Sequence, residues 1–369
     1  MSVDAPHVET RRQLEICDAC RFCEGLCAVF PALERRGPLT DGDIGQLANL
    51  CHDCRACFEV CMYAPPHPFG VNLPQMLAAR RGETIASLGA RTNLRSDRPR
   101  RGSLSLLAFL AALGTVVFGV IVTHRSSKLG LPPASPYRVV DEPTLLIASG
   151  AAALVGIVGA GLGGHRFWRA IGGRTRDLFS FRAWRGAIAD AATLRYLGGP
   201  TVRCASGSER TGPRRVLHQA LVIGLSLTLA STIAAAILGD LAHHPPPYRW
   251  ASVPVVLGSV GGVLLIGGSI ALRRLDRRRD PAPGEPSMGL RNAALLDALA
   301  LLGASGLAAL MLRSTPAGGP VLVLHLVVVW STLLIAACSK LAHAQYRLLA
   351  LVRDRIERDP AQARSGSMT

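Results

Sequence analysis

The sequence predicts an all-α membrane protein, with six transmembrane helices and a small cysteine-rich head at the N-terminus. Three observations carry the prediction. Six apolar stretches, at about 104–122, 145–162, 216–241, 253–272, 293–312 and 321–342, approach the length of a bilayer crossing. A crossing takes ~20 residues, at ~1.5 Å each, over ~30 Å of hydrocarbon. The loops between the stretches alternate between arginine-rich and arginine-poor. Eight of the ten cysteines fall in two short runs ahead of the first stretch.

The 369-residue chain combines a formal net charge of +16 with a positive mean hydropathy. A soluble protein that basic is seldom that apolar. Segregation resolves the conflict, with apolar residues facing lipid and arginines in the loops. Nucleic-acid binding is set aside, because the arginines flank apolar runs and do not interleave with exposed aromatics. Six such runs would also need more amphipathic sequence around them than one soluble domain of this length has left. The N-terminus, MSVDAPHVET, is polar and acidic, so no secretory signal peptide is expected.

The head is assigned to residues 1–75. CDACRFCEGLC places Cys17, Cys20, Cys23 and Cys27 in one run, and CHDCRACFEVC repeats the spacing at Cys51, Cys54, Cys57 and Cys61. Structural disulfides do not suit a cytoplasmic head. Structural zinc sites pair two knuckles across a longer spacer, although eight thiols also suffice for two zinc sites. Two C-x2-C-x2-C-x3-C runs fit a pair of [4Fe–4S] clusters better. Steps of three let successive thiolates reach the corners of a cubane, and the fourth cysteine is left for the other cluster. The expected ligands are Cys17, Cys20, Cys23 and Cys61 for one cluster, and Cys51, Cys54, Cys57 and Cys27 for the second. The proline that follows the fourth cysteine in bacterial ferredoxin runs is delayed here, to Pro31 and to Pro65–Pro66. The head lacks β-branched alternation, so it is expected to be helix and loop.

Residues 76–102 read as a basic linker, 103–346 as the membrane domain and 347–369 as a polar cytoplasmic tail. RSDRPRR precedes the first span, eleven arginines lie in 164–215, and RRLDRRR separates spans four and five. The opposite loops hold only Arg125, Lys128, Arg138, Arg249 and Arg313. The arginine-rich side is the cytoplasm, so both termini are expected inside. In the long cytoplasmic loop, Phe181, Trp184, Ile188, Ala191 and Leu194 or Leu197 fall near helical spacing. An interfacial helix or a docking surface for the head accounts for them.

Histidines within apolar helices are costly without a task. His325 and His343 are eighteen residues apart on the last predicted span. On one continuous helix they share a face, ~27 Å apart. His218 starts span three, and His243 and His244 end it. Antiparallel packing of spans three and six would set His218 opposite His343, and His243 or His244 opposite His325. Such pairs are candidate axial ligands for one or two b-type haems, and no covalent haem-attachment motif is present. His124 and His165 read as interfacial, and His7, His52 and His67 as exposed head residues, with His52 placed to tune a cluster. Asp297 reads as snorkelling to the interface, Cys338 as a small buried residue, and Cys204 has no assigned role. No Gly-rich nucleotide fingerprint follows a predicted strand, so a flavin is expected on a partner.

CDACRFCEGLCAVFPALERR and ANLCHDCRACFEVCMYAPPHPFGVNLP resemble the tricarballylate-utilisation, or citrate-utilisation, protein B family. DAATLRYLGG, RRVLHQA, PPPYRWASVPVVLGSVGG and the last span extend the resemblance from about Ile16 to Leu351. The resemblance implies a protein of the bacterial inner membrane that carries electrons. The donor would be a soluble or peripheral FAD-dependent dehydrogenase oxidising tricarballylate. Electrons would pass through iron–sulfur clusters and haem b to quinone. A related module serves a flavoprotein of cobalamin synthesis, and the haem-bearing half is similar in layout to the gamma subunit of respiratory nitrate reductases. A membrane-anchored iron–sulfur sensor without haem is the other expectation.

Overall fold

The computed structural model describes residues 5–88, 114, 135–197 and 211–359, and these form helices, turns and loops with no strand. The head opens with α1 (Ala5–Cys20), α2 (Val29–Glu34), α3 (Asp41–Leu50), α4 (Ala56–Glu59) and α5 (Leu73–Leu88). A capping box starts α3: the Thr40 hydroxyl accepts from Asp43 N, and the Asp43 carboxylate accepts from Thr40 N. The apolar face so oriented puts Ile44, Leu47 and Leu50 into a core with Leu14, Phe30, Leu33 and Leu77.

The head runs past the expected boundary at residue 75. Its last helix, α5, continues to Leu88, with Leu77, Ala78, Arg81, Thr84 and Ile85 buried. Arg80 and Arg81 resemble linker charges in sequence, but Arg81 is 7 % exposed and donates to the Cys51 carbonyl.

Five helices among the described residues are long and apolar enough to cross a membrane. They are α6 (Glu142–Ala170), α8 (Thr211–Ala236, extended by a π turn over Ile237–Leu241), α9 (Val253–Arg277), α10 (Pro286–Met311) and α11 (Gly318–Ile335). The expected first span, 104–122, lies outside the described residues apart from Gly114. Helix α8 packs on α9, α9 on α10, α10 on α11, and α11 on α6. Glycine permits the closest approaches: a Cβ on Gly261 would lie 2.8 Å from the Gly224 carbonyl oxygen, and one on Gly303 2.7 Å from that of Gly262. Close backbone contact through small residues is the usual means of helix association in lipid, where apolar burial gives little net drive.

The last expected span is not one helix. Helix α11 ends at Ile335, a turn and a 3-10 segment (Lys340–Ala342) follow, and α12 (His343–Arg358) begins anew. Ser339 makes the break, its hydroxyl accepting from Leu341 N, while Lys340 donates to Asn292 of α10. Hydropathy alone is blind to this turn.

The expected tail is likewise a structural element. Helix α12 buries Tyr346, Leu349, Ala350, Leu351, Val352 and Ile356, and with Phe167 and Trp168 of α6 it completes the head's core. Helix α7 (Phe181–Ala192) covers α12 through Ala183, Ala187 and Asp190. The expected face is met in part, with Trp184 and Ala191 packed against the same core. Phe181 and Ile188 are exposed, while Leu194 and Leu197 are buried.

Candidate metal centre

Helix α1 ends at Cys20 because Arg21 takes a left-handed conformation, and Gly25 follows with φ +84°. Tight turns continue the wrap, with Glu24 N donating to Arg21 O at 2.9 Å and Leu26 N to Cys23 O at 3.1 Å. In the second run Cys51 is the extended C-cap of α3, and Asp53 and Arg55 are both left-handed before α4. Each run therefore curls its first three thiols around a point.

Cys17, Cys20 and Cys23 share one small cavity with Cys61, whereas Cys51, Cys54 and Cys57 share another with Cys27. The electrostatics group the thiols the same way. Burial, then Cys61, Cys23 and Cys20, push Cys17 up to about 12. Burial, then Cys61 and Cys20, push Cys23 to about 11. Burial, then Cys51 and Cys54, raise Cys27 further. Four thiolates gathered in a partly buried site need a cationic core to hold them. Among the described residues no three metal-ligating side chains are gathered for a single ion. A cubane instead takes its thiolates at four separate irons, around a cavity, and the donor set fits that group.

The second cavity is also lined by His52 and Arg55, and it lies against the rest of the protein. Arg347 of α12 donates to Leu50 O at 2.6 Å and to Cys51 O at 3.1 Å. Arg279, beyond the end of α9, donates to Asp53 O at 2.8 Å, and Arg55 donates to Asp280 O. His52 is half-buried, not an exposed head residue. Burial, then the charges of Arg347 and Arg81, hold it well below the usual imidazole range, and His218 and His343 are within its electrostatic reach.

His218 and His343 thus lie within electrostatic reach of each other and of His52, which lines the second cavity. His343 Nδ1 is 2.5 Å from the Lys340 carbonyl, which can only accept, so Nδ1 carries the proton and Nε2 keeps a free lone pair. Burial, then Lys340, push His343 down to about 3, so it is neutral. The Nδ1 of His218 is buried without a hydrogen-bond partner. A neutral imidazole oriented by a backbone carbonyl is the usual state of a metal-ligating histidine, and His343 is held in it.

His325 is placed differently from the expectation. The break after Ile335 puts it on another helix from His343, so the two do not share a helical face. Its Nδ1 is 3.0 Å from Ser305 Oγ on α10, with Gly306 beside the ring. Ser305 Oγ is also 3.2 Å from Leu302 O, so its one proton can go to that carbonyl or to His325 Nδ1. His243 and His244 are exposed after the π turn, and the polar partner of His325 is Ser305, not either of them. His165 is exposed. Asp297 forms a two-pronged ion pair with Arg273 at 3.1 Å. Cys338 lies in the turn between α11 and α12, and Cys204 and His124 are outside the described residues. Arg81 and Arg347 carry no sequence motif. Only their positions in the fold single them out.

Taken together, an all-helical membrane bundle bearing a head with two cysteine quartets defines the class: a multi-pass membrane protein with a ferredoxin-like domain, as used for electron transfer. Comparison with known proteins gives the particular family. The family model for citrate utilization protein B matches residues 97–364, and that for its Fer4-like domain matches residues 10–87. The chain is 33% identical to the citrate utilization protein B of Escherichia coli over 362 residues, covering 96% of this chain and 93% of that one. The chain belongs to the citrate utilization protein B family. No solved structure matches it.

Proposed function

We propose that this protein passes electrons from a cytoplasmic flavoprotein dehydrogenase to membrane quinone. The path runs through two [4Fe–4S] clusters on the cysteine quartets and haem b on His218 and His343. The observation that supports the reading is that His218 and His343 lie within electrostatic reach of His52, which lines the second cavity. When bound, the clusters and haem supply one-electron transfer without making or breaking substrate bonds. The chain's residues do the positioning. Cys27 and Cys61 each cross to the other run's quartet, which fixes the two sites side by side. The Lys340 carbonyl sets the ring of His343. The carbonyls of Leu50 and Cys51, gripped by Arg347, anchor the second quartet to α12, the helix His343 begins.

The dehydrogenase that the family resemblance implies oxidises tricarballylate, and that chemistry belongs to the partner. The arginine bias of the loops supports a bacterial inner-membrane location with both termini in the cytoplasm. His325, inside α11, is the candidate ligand of a second haem. The test is a dithionite-reduced minus air-oxidised spectrum of the purified protein, prepared anaerobically, with a pyridine haemochrome assay. A b-type α band that disappears in His343→Ala is expected. Cluster bleaching with no haem band would overturn the haem route and favour a haem-free sensor or direct transfer from cluster to quinone.

A further inference from the structure

The two cysteine sites differ in the charge around them. Ile16, Phe22, Phe30, Met62, Tyr63 and Val71 complete the lining of the first, and none is cationic. Exposed Glu24 and Glu59 stand one and two residues from its Cys23 and Cys61, and the cation beside it, Arg21 after Cys20, is exposed and turns its Nε to the Asp18 carbonyl. The second site is backed by cations. Arg81 and Arg347 both donate to the Cys51 carbonyl, and their other acceptors are the backbone carbonyls of Ala48 and Leu50. The Nε atoms of both guanidiniums are buried without a hydrogen-bond partner.

Two buried guanidiniums whose acceptors are neutral carbonyls are costly unless something nearby is negative. Four thiolates around a cubane leave a net negative charge, which grows on reduction. Cations close to such a site favour the reduced state, and net charge and hydrogen bonding are established levers on cluster potential. Resting on the electron-transfer reading above, we propose that Arg81 and Arg347 hold the potential of the second quartet's cluster above that of the first. An electron received at the first site then runs downhill to the second, on the way to His218 and His343. Both arginines are positioning residues and touch no substrate.

The experiment is an EPR-monitored potentiometric titration of the full-length protein in detergent, comparing Arg81→Gln and Arg347→Gln with the unmodified chain. Iron and sulfide content is measured alongside. The higher of the two cluster potentials falls in each variant, by about a tenfold change in the equilibrium, or about 59 mV for one electron. The lower one stays in place, and so do both in Arg80→Gln, whose partners are Glu83 and His7. Arg347→Lys keeps the charge without the two-pronged grip and stays near the unmodified potential, which tests the idea even where the glutamine variants lose iron. Unchanged potentials, an equal shift of both, a fall in the lower one alone, or a lysine variant that shifts like glutamine would each overturn the proposal. Failure to find two [4Fe–4S] signals in the unmodified chain would instead sink the electron-transfer reading itself.

Discussion

Cys27 leaves the first cysteine run to face the second site, and Cys61 makes the reverse exchange. The consequence is testable one residue at a time. Cys27→Ser removes a thiol from the second quartet although it lies in the first run. The expected result is loss of the second cluster's EPR signal with the first retained, and a loss confined to the first would contradict the crossing. Asp43 shows a different use of a single side chain. Burial pushes its carboxyl up, but the Thr40 hydroxyl and amide and the Arg36 guanidinium outweigh this and hold it below the ordinary value. A folded-state value below the unfolded one means that its contribution is complete above ~3.9 and fades as pH falls through the folded value. Amide exchange at the start of α3 should therefore be steady from about pH 7 to 5 once corrected for intrinsic rates, and rise only below about pH 4. Asp43→Asn abolishes that acid limb and costs about 1 kcal/mol of local stability, as loss of half a cap does.

Among the elements, the contact of α8, α9 and α10 depends on backbones that touch. Gly261→Leu places a branched side chain where the Gly224 carbonyl already stands. Overpacking of this kind costs about 1–3 kcal/mol or more, because neither helix backbone can yield. A lowered unfolding temperature in detergent is expected, while Gly267→Ala, with open space around its Cβ position, leaves it unchanged. The break between α11 and α12 has the opposite character. It costs a few helical hydrogen bonds, but it turns α12 out of the bundle and into the head. There Tyr346 stacks at a tilt on Phe167, with ring centres 5.1 Å apart.

Across the whole molecule, the head's core is assembled from distant parts of the chain: residues near the N-terminus, the end of α6, Ala183 and Ala187 of α7, Met288 of α10, and α12. Charge pairs fasten the seams. Asp354, 1 % exposed, is shared by Arg35 and Arg358. Glu357 takes Arg36 at 2.8 Å and Arg353 at 2.9 Å. Asp190 of α7, 4 % exposed, takes Arg355, with Arg195 3.6 Å away. Arg355→Ala leaves buried Asp190 with only the exposed Arg195, 3.6 Å away. Breaking such a pair costs about 3–5 kcal/mol, and proteolytic cleavage near α7 should speed up at least tenfold under native conditions. Arg182→Ala is the control, since its side chain is 84 % exposed and its Asp359 contact is 3.7 Å. Cleavage unchanged by Arg355→Ala would mean that the seam is held by Ala183 and Ala187 alone.

By itself the sequence determined the class of the protein, the all-helical fold and the two cysteine runs, because hydropathy, loop charge and thiol spacing are local patterns that survive without contacts. It located the core of each described span but set the last one seven residues too long, since a Ser–Lys turn in an apolar run leaves mean hydropathy almost unchanged. It read α12 as a tail because six charged residues in sixteen hide an apolar face that only a partner surface reveals. The tertiary structure decided what must be settled between distant segments. It grouped the eight thiols, set His218 and His343 within electrostatic reach of His52, moved His325 onto a different helix from His343, and set Arg81 and Arg347 on the carbonyl of Cys51. These are long-range contacts, fixed by how the helices pack and not by the order of residues within any one of them.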